Sequence, residues 1–431
     1  MEILLIFFLL LVSLLFLGVP VAVAIAVTSI VAWGIKWGFG TLSFGLIGQM
    51  MVYGINNFPI LAVPLFLSAG AVMNAGGISD RIFGFAACLV GHIRGGLAHV
   101  NVLASFIFSG MSGAAAADVA GLGQIEIRAM TRAGYPRDFA CAVTGASATI
   151  GPIVPPSVPL ILYGVIANTS VTKLFIGGIV PGVMMAIALM VFCAVIAKRR
   201  NFPKGDAFRL GALAASFRRA FLPLLTPVII IGGIWTGVFT PTEAAAVAAV
   251  YAITLATVVY REVPLAALVR IFREVALTSA AILFILAAAM IYNNALTRTQ
   301  VPGMVTDFLF ALTEDPLLIL LLLNLMLFIA GMFMSTAETI LLLAPLIAPL
   351  LPQFGIDPVH FGVLMVLNLM LGQLTPPFGI VLYILMQVGE ISFDRLVKAL
   401  VPFYLPILVV LALTIAFPPL VTWLPELVVG R

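Results

Sequence analysis

Two proline-rich segments interrupt long apolar stretches and have the residue types of a cation site. Their sequences are GPIVPPSVP at residues 151–159 and GQLTPPFG at residues 372–379. Adjacent prolines remove two N–H donors from a helix and leave carbonyl groups of the preceding turn without partners. A hard cation such as Na⁺ binds several oxygens, which these carbonyls and a nearby hydroxyl provide without a fixed charge. Each segment therefore predicts a broken helix that forms a sodium site.

A stretch rich in small residues precedes each proline motif. Residues 109–123 have the sequence SGMSGAAAADVAGLG, and residues 331–336 have the sequence GMFMST. Glycine in a continuous helix costs about 1 kcal/mol per position relative to alanine, so this composition disfavours a plain membrane span. It is typical of the tip of a re-entrant hairpin. We expect hairpins at about residues 98–130 and 317–351, followed by broken helices at about residues 138–167 and 360–387.

These motifs recur at one spacing along the chain. Five matches lie 221 positions apart in the same order: Pro20 and Pro241, Gly110 and Gly331, Gly151 and Gly372, Pro155 and Pro376, and Pro181 and Pro402. Internal repeats of this size are common in secondary transporters. The spacing predicts a first repeat with an N-terminal helix over residues 1–198 and a second repeat over residues 220–431, joined by a basic linker at residues 199–219.

The composition places both repeats in a membrane. Of the 431 residues, 63% are hydrophobic and 9% are charged, whereas soluble domains have about 25% charged residues. The net charge of +4 comes from loops between apolar runs, which argues against nucleic-acid binding and favours a lipid bilayer as the partner. We expect an all-α polytopic membrane protein with about ten crossings. Residues 3–17 lack a preceding positive region and predict an uncleaved first helix.

The distribution of basic residues predicts that the repeats have opposite orientations. Residues 198–219 carry seven Lys or Arg against one acid, Asp206, which indicates a cytoplasmic linker. The loop after the first hairpin, residues 128–137, holds three arginines, whereas its counterpart, residues 351–359, holds no Lys or Arg. Equivalent loops therefore face opposite sides of the membrane, and the repeats are predicted to be inverted.

Four longer motifs resemble one known family, the large membrane subunit of tripartite ATP-independent periplasmic (TRAP) transporters. They are SGMSGAAAADVAGLGQIEI at 109–127, IGPIVPPSVPLILYG at 150–164, GVFTPTEAAAVAAVYA at 237–252 and GQLTPPFG at 372–379. The resemblance covers essentially the whole chain. It implies an inverted-repeat, elevator-type permease in the bacterial cytoplasmic membrane. It also implies Na⁺-coupled uptake, a small four-helix membrane subunit and a soluble periplasmic substrate-binding protein.

The same resemblance implies which residues bind the ions. The first sodium site is expected at Ser109, Gly151, Val154 and Pro155. The second is expected at Gly331, Phe333, Gly372, Thr375 and Phe378. Most of these residues would contribute backbone carbonyls, so even phenylalanine can take part. No other metal and no cofactor is expected.

Ser112, Ser157 and Ser335 are the candidate substrate contacts. Ser112 and Ser157 have a second interpretation, in which the hydroxyl bonds back to a helix carbonyl. Ser335 departs from sialic-acid-type members, which often carry an acid there. The substrate implied is an organic acid with a carboxylate. The first hairpin is most similar to sialic-acid-type members, while C4-dicarboxylate and sugar-acid transporters share most other motifs and remain alternatives.

An intramembrane enzyme is the alternative class of function. It would need a Ser/His pair, an H-E-x-x-H helix or paired aspartates in the bilayer, and the serine motif lacks the G-x-S-x-G frame. A passive channel would need rings of like residues from several subunits. An ATP-driven pump would need a G-x-x-x-x-G-K-[ST] loop, which the sequence lacks. We therefore expect a transporter and not an enzyme.

Overall fold

The computed structural model describes residues 2–41, 43–205 and 207–430, with side chains from residue 8 onward. Asp206 of the predicted linker, and Met1 and Arg431 at the ends of the predicted repeats, lie outside the described residues. Throughout the described part the secondary structure is helical, without a β-strand. The predicted all-α fold class is therefore confirmed.

Eleven α-helices lie in the described residues before the basic linker. In chain order they are α1 (Glu2–Phe16), α2 (Val21–Trp37), α3 (Phe44–Ile55), α4 (Ala62–Ala75), α5 (Ile78–Val90), α6 (Gly96–Ser112), α7 (Ala115–Ala120), α8 (Leu122–Arg132), α9 (Arg137–Ala148), α10 (Val158–Ile166) and α11 (Val171–Arg199). Helix α12 (Leu210–Trp235) begins inside the segment 199–219 assigned to the linker, so Arg218 and Arg219 lie on a helix.

The remaining helices repeat much of this order. They are α13 (Pro241–Thr254), α14 (Leu265–Arg298), α15 (Val301–Leu312), α16 (Pro316–Phe333), α17 (Thr336–Ile347), α18 (Pro358–Gln373), α19 (Ile380–Gly389), α20 (Phe393–Ala416) and α21 (Pro419–Val429). Five helices recur at nearly this spacing. Helices α16, α17, α18, α19 and α20 begin 220 to 222 positions after α6, α7, α9, α10 and α11, respectively. The spacing seen in the motifs thus extends to the helices that carry them.

Seven described helices are long and apolar enough to cross a membrane. They are Phe58–Ala75, Val171–Arg199, Leu210–Trp235, Pro241–Val259, Leu265–Arg298, Pro316–Phe333 and Phe393–Ala416. The number is below the ten crossings expected because several apolar segments are divided into short helices. Helix α9, for example, has 12 residues and spans only about 18 Å at 1.5 Å per residue.

Contacts between the halves are reciprocal. Helix α4 packs against α13, and the corresponding pair, α14 and α2, also packs together. Likewise α10 packs against α17 while α19 packs against α7, and α9 packs against α20 while α18 packs against α11. Exchanged pairs of this kind are what a two-fold rotation between two similar units produces. The repeat therefore appears in the packing as well as in the helix order.

Capping side chains explain where several of these helices begin. Thr240 and Glu243 form a capping box at the start of α13, in which Glu243 Oε2 accepts from the Thr240 amide at 2.8 Å. Asp357 Oδ1 accepts from the Val359 amide at 2.7 Å and fixes the start of α18. An acidic group near a helix N-terminus also complements the helix dipole. Glu243 and Asp357 therefore each stabilise the start of a helix.

Candidate functional site

The tip of the first hairpin packs against the first broken helix. Helix α6 ends at Ser112, and Gly113 then adopts the left-handed conformation with φ +61°. Gly113 lies directly against the carbonyl of Pro156, where a side chain would collide with that oxygen. On the other side of the contact, a Cβ atom on Gly151 would lie 3.6 Å from the carbonyl carbon of Ala114. The glycines therefore allow two backbone segments to meet.

Several carbonyl groups of the first broken helix have no hydrogen-bond donor. Beyond the end of α9, the amide of Gly151 bonds to Ala148 and the amide of Val154 bonds to Ile150. No hydrogen bond among the described residues ends on the carbonyls of Gly151, Val154 or Pro155. The segment is fully buried, and buried carbonyls normally have partners. These three oxygens are therefore free to bind a cation.

Ser109 lies in the last turn of α6 and is fully buried. Its hydroxyl donates to the carbonyl of Ser105 at 2.6 Å, which is the usual bond from a serine to the preceding turn. The oxygen keeps lone pairs with which it can accept or coordinate.

The second hairpin meets the second broken helix in a similar way. Helix α16 ends at Phe333 and α18 ends at Gln373, and their backbones touch at Gly331 and Gly372. The amide of Phe378 donates to the carbonyl of Met332 at 3.2 Å, which joins the tip to the broken segment.

Free carbonyls are present at this contact too. In the described chain, the carbonyls of Gly331, Phe333 and Phe378 accept no hydrogen bond. Gly331 lacks one because the amide that would reach it, that of Ser335, instead donates to Glu338.

The other two predicted ligands of the second site are partly engaged. The Gly372 carbonyl accepts from the Thr375 amide at 2.9 Å. The Thr375 hydroxyl donates to the Leu371 carbonyl at 2.8 Å. The Gly372 carbonyl also accepts from the Leu374 amide, whereas the Thr375 hydroxyl, although it donates, can still accept or coordinate.

The two segments differ in exposure. The first is buried throughout, whereas Phe378 and Phe333 are 53% and 46% exposed. Their rings lie 5.8 Å apart, centroid to centroid. The second site thus lies at the surface of this chain, and the first lies in its interior.

The three serines proposed to contact substrate occupy different environments. Ser157 caps α10, since its hydroxyl accepts from the Leu160 amide at 3.2 Å and donates to the carbonyl of Pro152. Ser335 caps α17 in a box with Glu338. Ser112 is buried, and its hydroxyl has no hydrogen-bond partner among the described residues. Of the three, Ser112 has the hydroxyl that is free for a ligand.

Comparison with known proteins identifies the family that has this architecture. Residues 8–420 match the model of a family described as the tripartite ATP-independent periplasmic transporter, DctM component. The chain belongs to this family. Its members are large permease subunits, so the chain is a multi-pass protein of the bacterial inner membrane.

Relatives in the DctM family are similar over nearly the whole chain. A sialic acid TRAP transporter large permease protein, SiaM of Vibrio cholerae, is 46% identical over 97% of each chain. The C4-dicarboxylate large permease DctM of Pseudomonas aeruginosa is 39% identical over 86% of this chain and 87% of its own. The crystal structure of the Alcanivorax borkumensis YdaH transporter has the same fold, with a TM-score of 0.66, 14% identity and 88% coverage of both chains.

A buried polar network lies behind the first hairpin of this DctM-family chain. Its residues were not among those predicted from the sequence. Asn101 Nδ2 donates to Thr144 Oγ1 at 2.7 Å, and Ser147 Oγ donates to Asn101 Oδ1 at 2.7 Å. Glu126 is fully buried beside this network. The available signal was the helical spacing of polar residues at 101, 105, 144 and 147 in apolar helices.

Proposed function

We propose that the chain is the permease subunit of a sodium-coupled transporter that takes up a carboxylate-bearing organic acid. One observation carries this proposal: in both halves a hairpin tip meets a broken helix, and carbonyl oxygens without donors lie at the contact. Non-helical backbone at membrane depth is tolerated only inside protein or facing water. Its repetition at matching positions favours a functional site over a local packing kink.

Each contact has the chemistry of a weak cation site. Carbonyls of Gly151, Val154 and Pro155, with the hydroxyl of Ser109, would hold one Na⁺. Carbonyls of Gly331, Phe333, Gly372 and Phe378, with the hydroxyl of Thr375, would hold another. The C-terminal ends of α9 and α18 add the negative end of a helix dipole. Oxygen sites without a fixed charge bind Na⁺ weakly enough to release it on the other side.

An inverted arrangement of the repeats supports alternating access. We propose that α2, α4, the α9–α10 pair, α11 and α12 each cross the bilayer once between the start of α2 and the start of α13. Five crossings would put the two starting points on opposite sides of the membrane, as the charge pattern predicts. Inverted repeats support transport in which one part moves against the other around the binding site. We propose elevator-type movement of the hairpins and broken helices against the remaining helices.

The names of relatives favour sialic acid as the substrate. SiaM of V. cholerae and the permease SiaT of Haemophilus influenzae, 40% identical over 96% of this chain and 67% of its own, are both named for sialic acid. Relatives named for C4-dicarboxylates and 2,3-diketo-L-gulonate are 39% and 38% identical. These acids are the alternative substrates. As in other tripartite systems, a small membrane subunit and a periplasmic binding protein would be the partners.

Uptake into proteoliposomes tests this proposal. Vesicles would hold the chain with its small subunit, and the binding protein would deliver radiolabelled sialic acid, a C4-dicarboxylate or a diketo sugar acid. We expect accumulation of unmodified substrate only with an inward Na⁺ gradient. A variant with Pro155→Ala and Pro156→Ala regains two N–H donors and is expected to lose uptake, whereas Pro223→Ala, within helix α12, is expected to keep it. Accumulation that ignores Na⁺ would contradict the coupling, and chemical conversion of the substrate would indicate an enzyme.

A further inference from the structure

A cavity of about 910 Å³ lies at the N-terminal end of α9, the helix that leads into the first proline motif. It is lined by the first residues of α9, the last turn of α11 with Arg200 directly after it, the turn between α19 and α20, and the first three turns of α20. Four cationic side chains line it: Arg137, Arg200, Arg395 and Lys398. A volume of this size is typical of ligand cavities, which range over about 300–1,000 Å³.

The positive charge of this cavity is only partly neutralised. Arg137 pairs with Glu390 at 3.1 Å, and both side chains are exposed. The other acid, Asp138, accepts from the Phe139 amide at 2.8 Å. Arg395 and Lys398 have no acidic partner within the described ranges. Two cations on one face of α20 are therefore available for an anion.

Two helix starts add to this positive field. Arg137 is the first residue of α9, and α20 begins next to Ser392, whose hydroxyl makes no capping hydrogen bond. The unpaired amides at a helix N-terminus carry partial positive charge and bind anions, phosphate in particular. Arg200, directly after α11, and the cations of α20 lie beside these helix starts, each of which also has one acid in its first turn, Asp138 or Asp394.

The inner wall of the cavity is apolar. Phe139 and Phe403 are 3% and 1% exposed, and their rings lie 5.9 Å apart. Ile196 and Pro402 continue this wall. An amphiphile would contact both the cationic side chains and the apolar wall of this cavity. A free inorganic anion would contact only the cationic side chains.

We propose that this cavity binds the phosphate headgroup of an anionic phospholipid. The chain is an inner-membrane protein, and the basic residues of the cavity lie on the side that the charge pattern assigns to the cytoplasm. Basic pockets between membrane helices on that side bind anionic headgroups. The lipid would join Arg137 and Arg200 of the first half to Arg395 and Lys398 of the second. It would thereby brace α9, where the first broken helix begins, against α20.

Lipid binding to delipidated protein tests this proposal. Native mass spectrometry would follow titration with phosphatidylglycerol and with phosphatidylcholine of identical acyl chains. We expect the wild type to prefer phosphatidylglycerol by about tenfold or more, since each basic residue near a headgroup contributes appreciably. The double variant Arg395→Gln with Lys398→Gln is expected to lose this preference. Both side chains are exposed, so the variant should fold, which its melting curve verifies.

Arg270→Gln with Arg273→Gln is the matched control. These exposed arginines have the same spacing on α14 but do not line the cavity, so the control is expected to keep the lipid preference. Equal binding by the Arg395/Lys398 variant, or an equal loss in the control, would overturn the proposal. Displacement of the lipid by millimolar inorganic phosphate would assign the cavity to a free anion and would also overturn it. Sodium-driven uptake is measured separately, so the two proposals can fail independently.

Discussion

Gly331 and Gly372 touch backbone to backbone where the second hairpin crosses the second broken helix. A Cβ atom on Gly372 would lie 2.8 Å from the Gly331 carbonyl carbon and 2.9 Å from its Cα. Neither neighbour is a flexible side chain that can move aside. The corresponding residue of the first hairpin, Gly110, instead packs against Pro227 of α12. The halves share a motif at this position but use it for different contacts.

Gly372→Ala is therefore expected to separate α16 from α18. Inserting a methyl group between two packed backbones costs about 1–3 kcal/mol. The shift would also move the Gly331 carbonyl away from the second broken helix. We expect a lower melting temperature in detergent and a loss of sodium-driven uptake.

Gly232→Ala is the control for this substitution. Gly232 lies in helix α12, and no atom of the described residues outside that helix's own backbone lies within 4 Å of the position of its missing Cβ. Alanine favours helix by about 1 kcal/mol relative to glycine, so this variant is expected to be at least as stable as the wild type. Loss of uptake in both variants, or in neither, would show that the Gly331–Gly372 contact has no special role.

The sequence predicted the helix interruptions well, because glycine and proline act locally. Adjacent prolines cannot continue a helix whatever surrounds them, and the non-helical segment falls at residues 149–157, between α9 and α10. The hairpin tips were located for the same reason. Pairing between distant segments was harder to predict, since the repeat spacing does not reveal that Gly110 faces α12 while Gly331 faces α18.

Thr375→Val is expected to weaken the sodium response of uptake. The substitution keeps the β-branched shape and removes the hydroxyl that is proposed to bind Na⁺. We expect the Na⁺ concentration for half-maximal uptake to rise about tenfold, as for the loss of one interaction of about 1.4 kcal/mol. Thr254→Val is the control, because its hydroxyl also bonds one turn back at 2.8 Å but lies on α13. An unchanged Na⁺ response in well-folded Thr375→Val would remove Thr375 from the site.

Side-chain roles at the helix ends were less predictable than the helix ends themselves. Ser335 and Glu338 are polar residues at a hairpin tip, and the sequence suggested a substrate contact for Ser335. The structure shows a capping box between them. A Ser-x-x-Glu pattern is a known helix start signal, so capping could have been recognised. The burial of Glu126 could not, because it depends on how α8 packs against α9.

Arg81, in the first turn of α5, and Glu262, in the segment between α13 and α14, connect the two halves. Arg81 Nη2 lies 2.6 Å from Glu262 Oε1, with side chains 23% and 39% exposed. The guanidinium also lies 3.8 Å from the Tyr260 ring centroid and donates to the Gly77 carbonyl at 2.8 Å. Since solvent screens exposed pairs, Glu262→Gln is expected to cost less than about 1 kcal/mol.

Arg81→Ala is expected to cost more, about 1–3 kcal/mol, because it removes the cation–π contact and the carbonyl bond as well. Thermal melting in detergent at low and high salt separates these contributions. Salt should reduce the effect of Glu262→Gln and leave most of the effect of Arg81→Ala. Equal destabilisation by the two variants would mean that the ion pair dominates.

Asn101→Ala is expected to destabilise the first hairpin without touching a proposed sodium ligand. Asn101 lies in α6 and joins Thr144 and Ser147 of α9. Its removal breaks the buried hydrogen bonds to the Thr144 and Ser147 hydroxyls and creates a cavity, at a cost of about 2–4 kcal/mol. Asn56→Ala, at an exposed position, should change the melting temperature little. If the network only supports the hairpin, Asn101→Ala protein that remains folded at low temperature should show an unchanged Na⁺ response. A changed Na⁺ response in that protein would mean that the network takes part in ion binding.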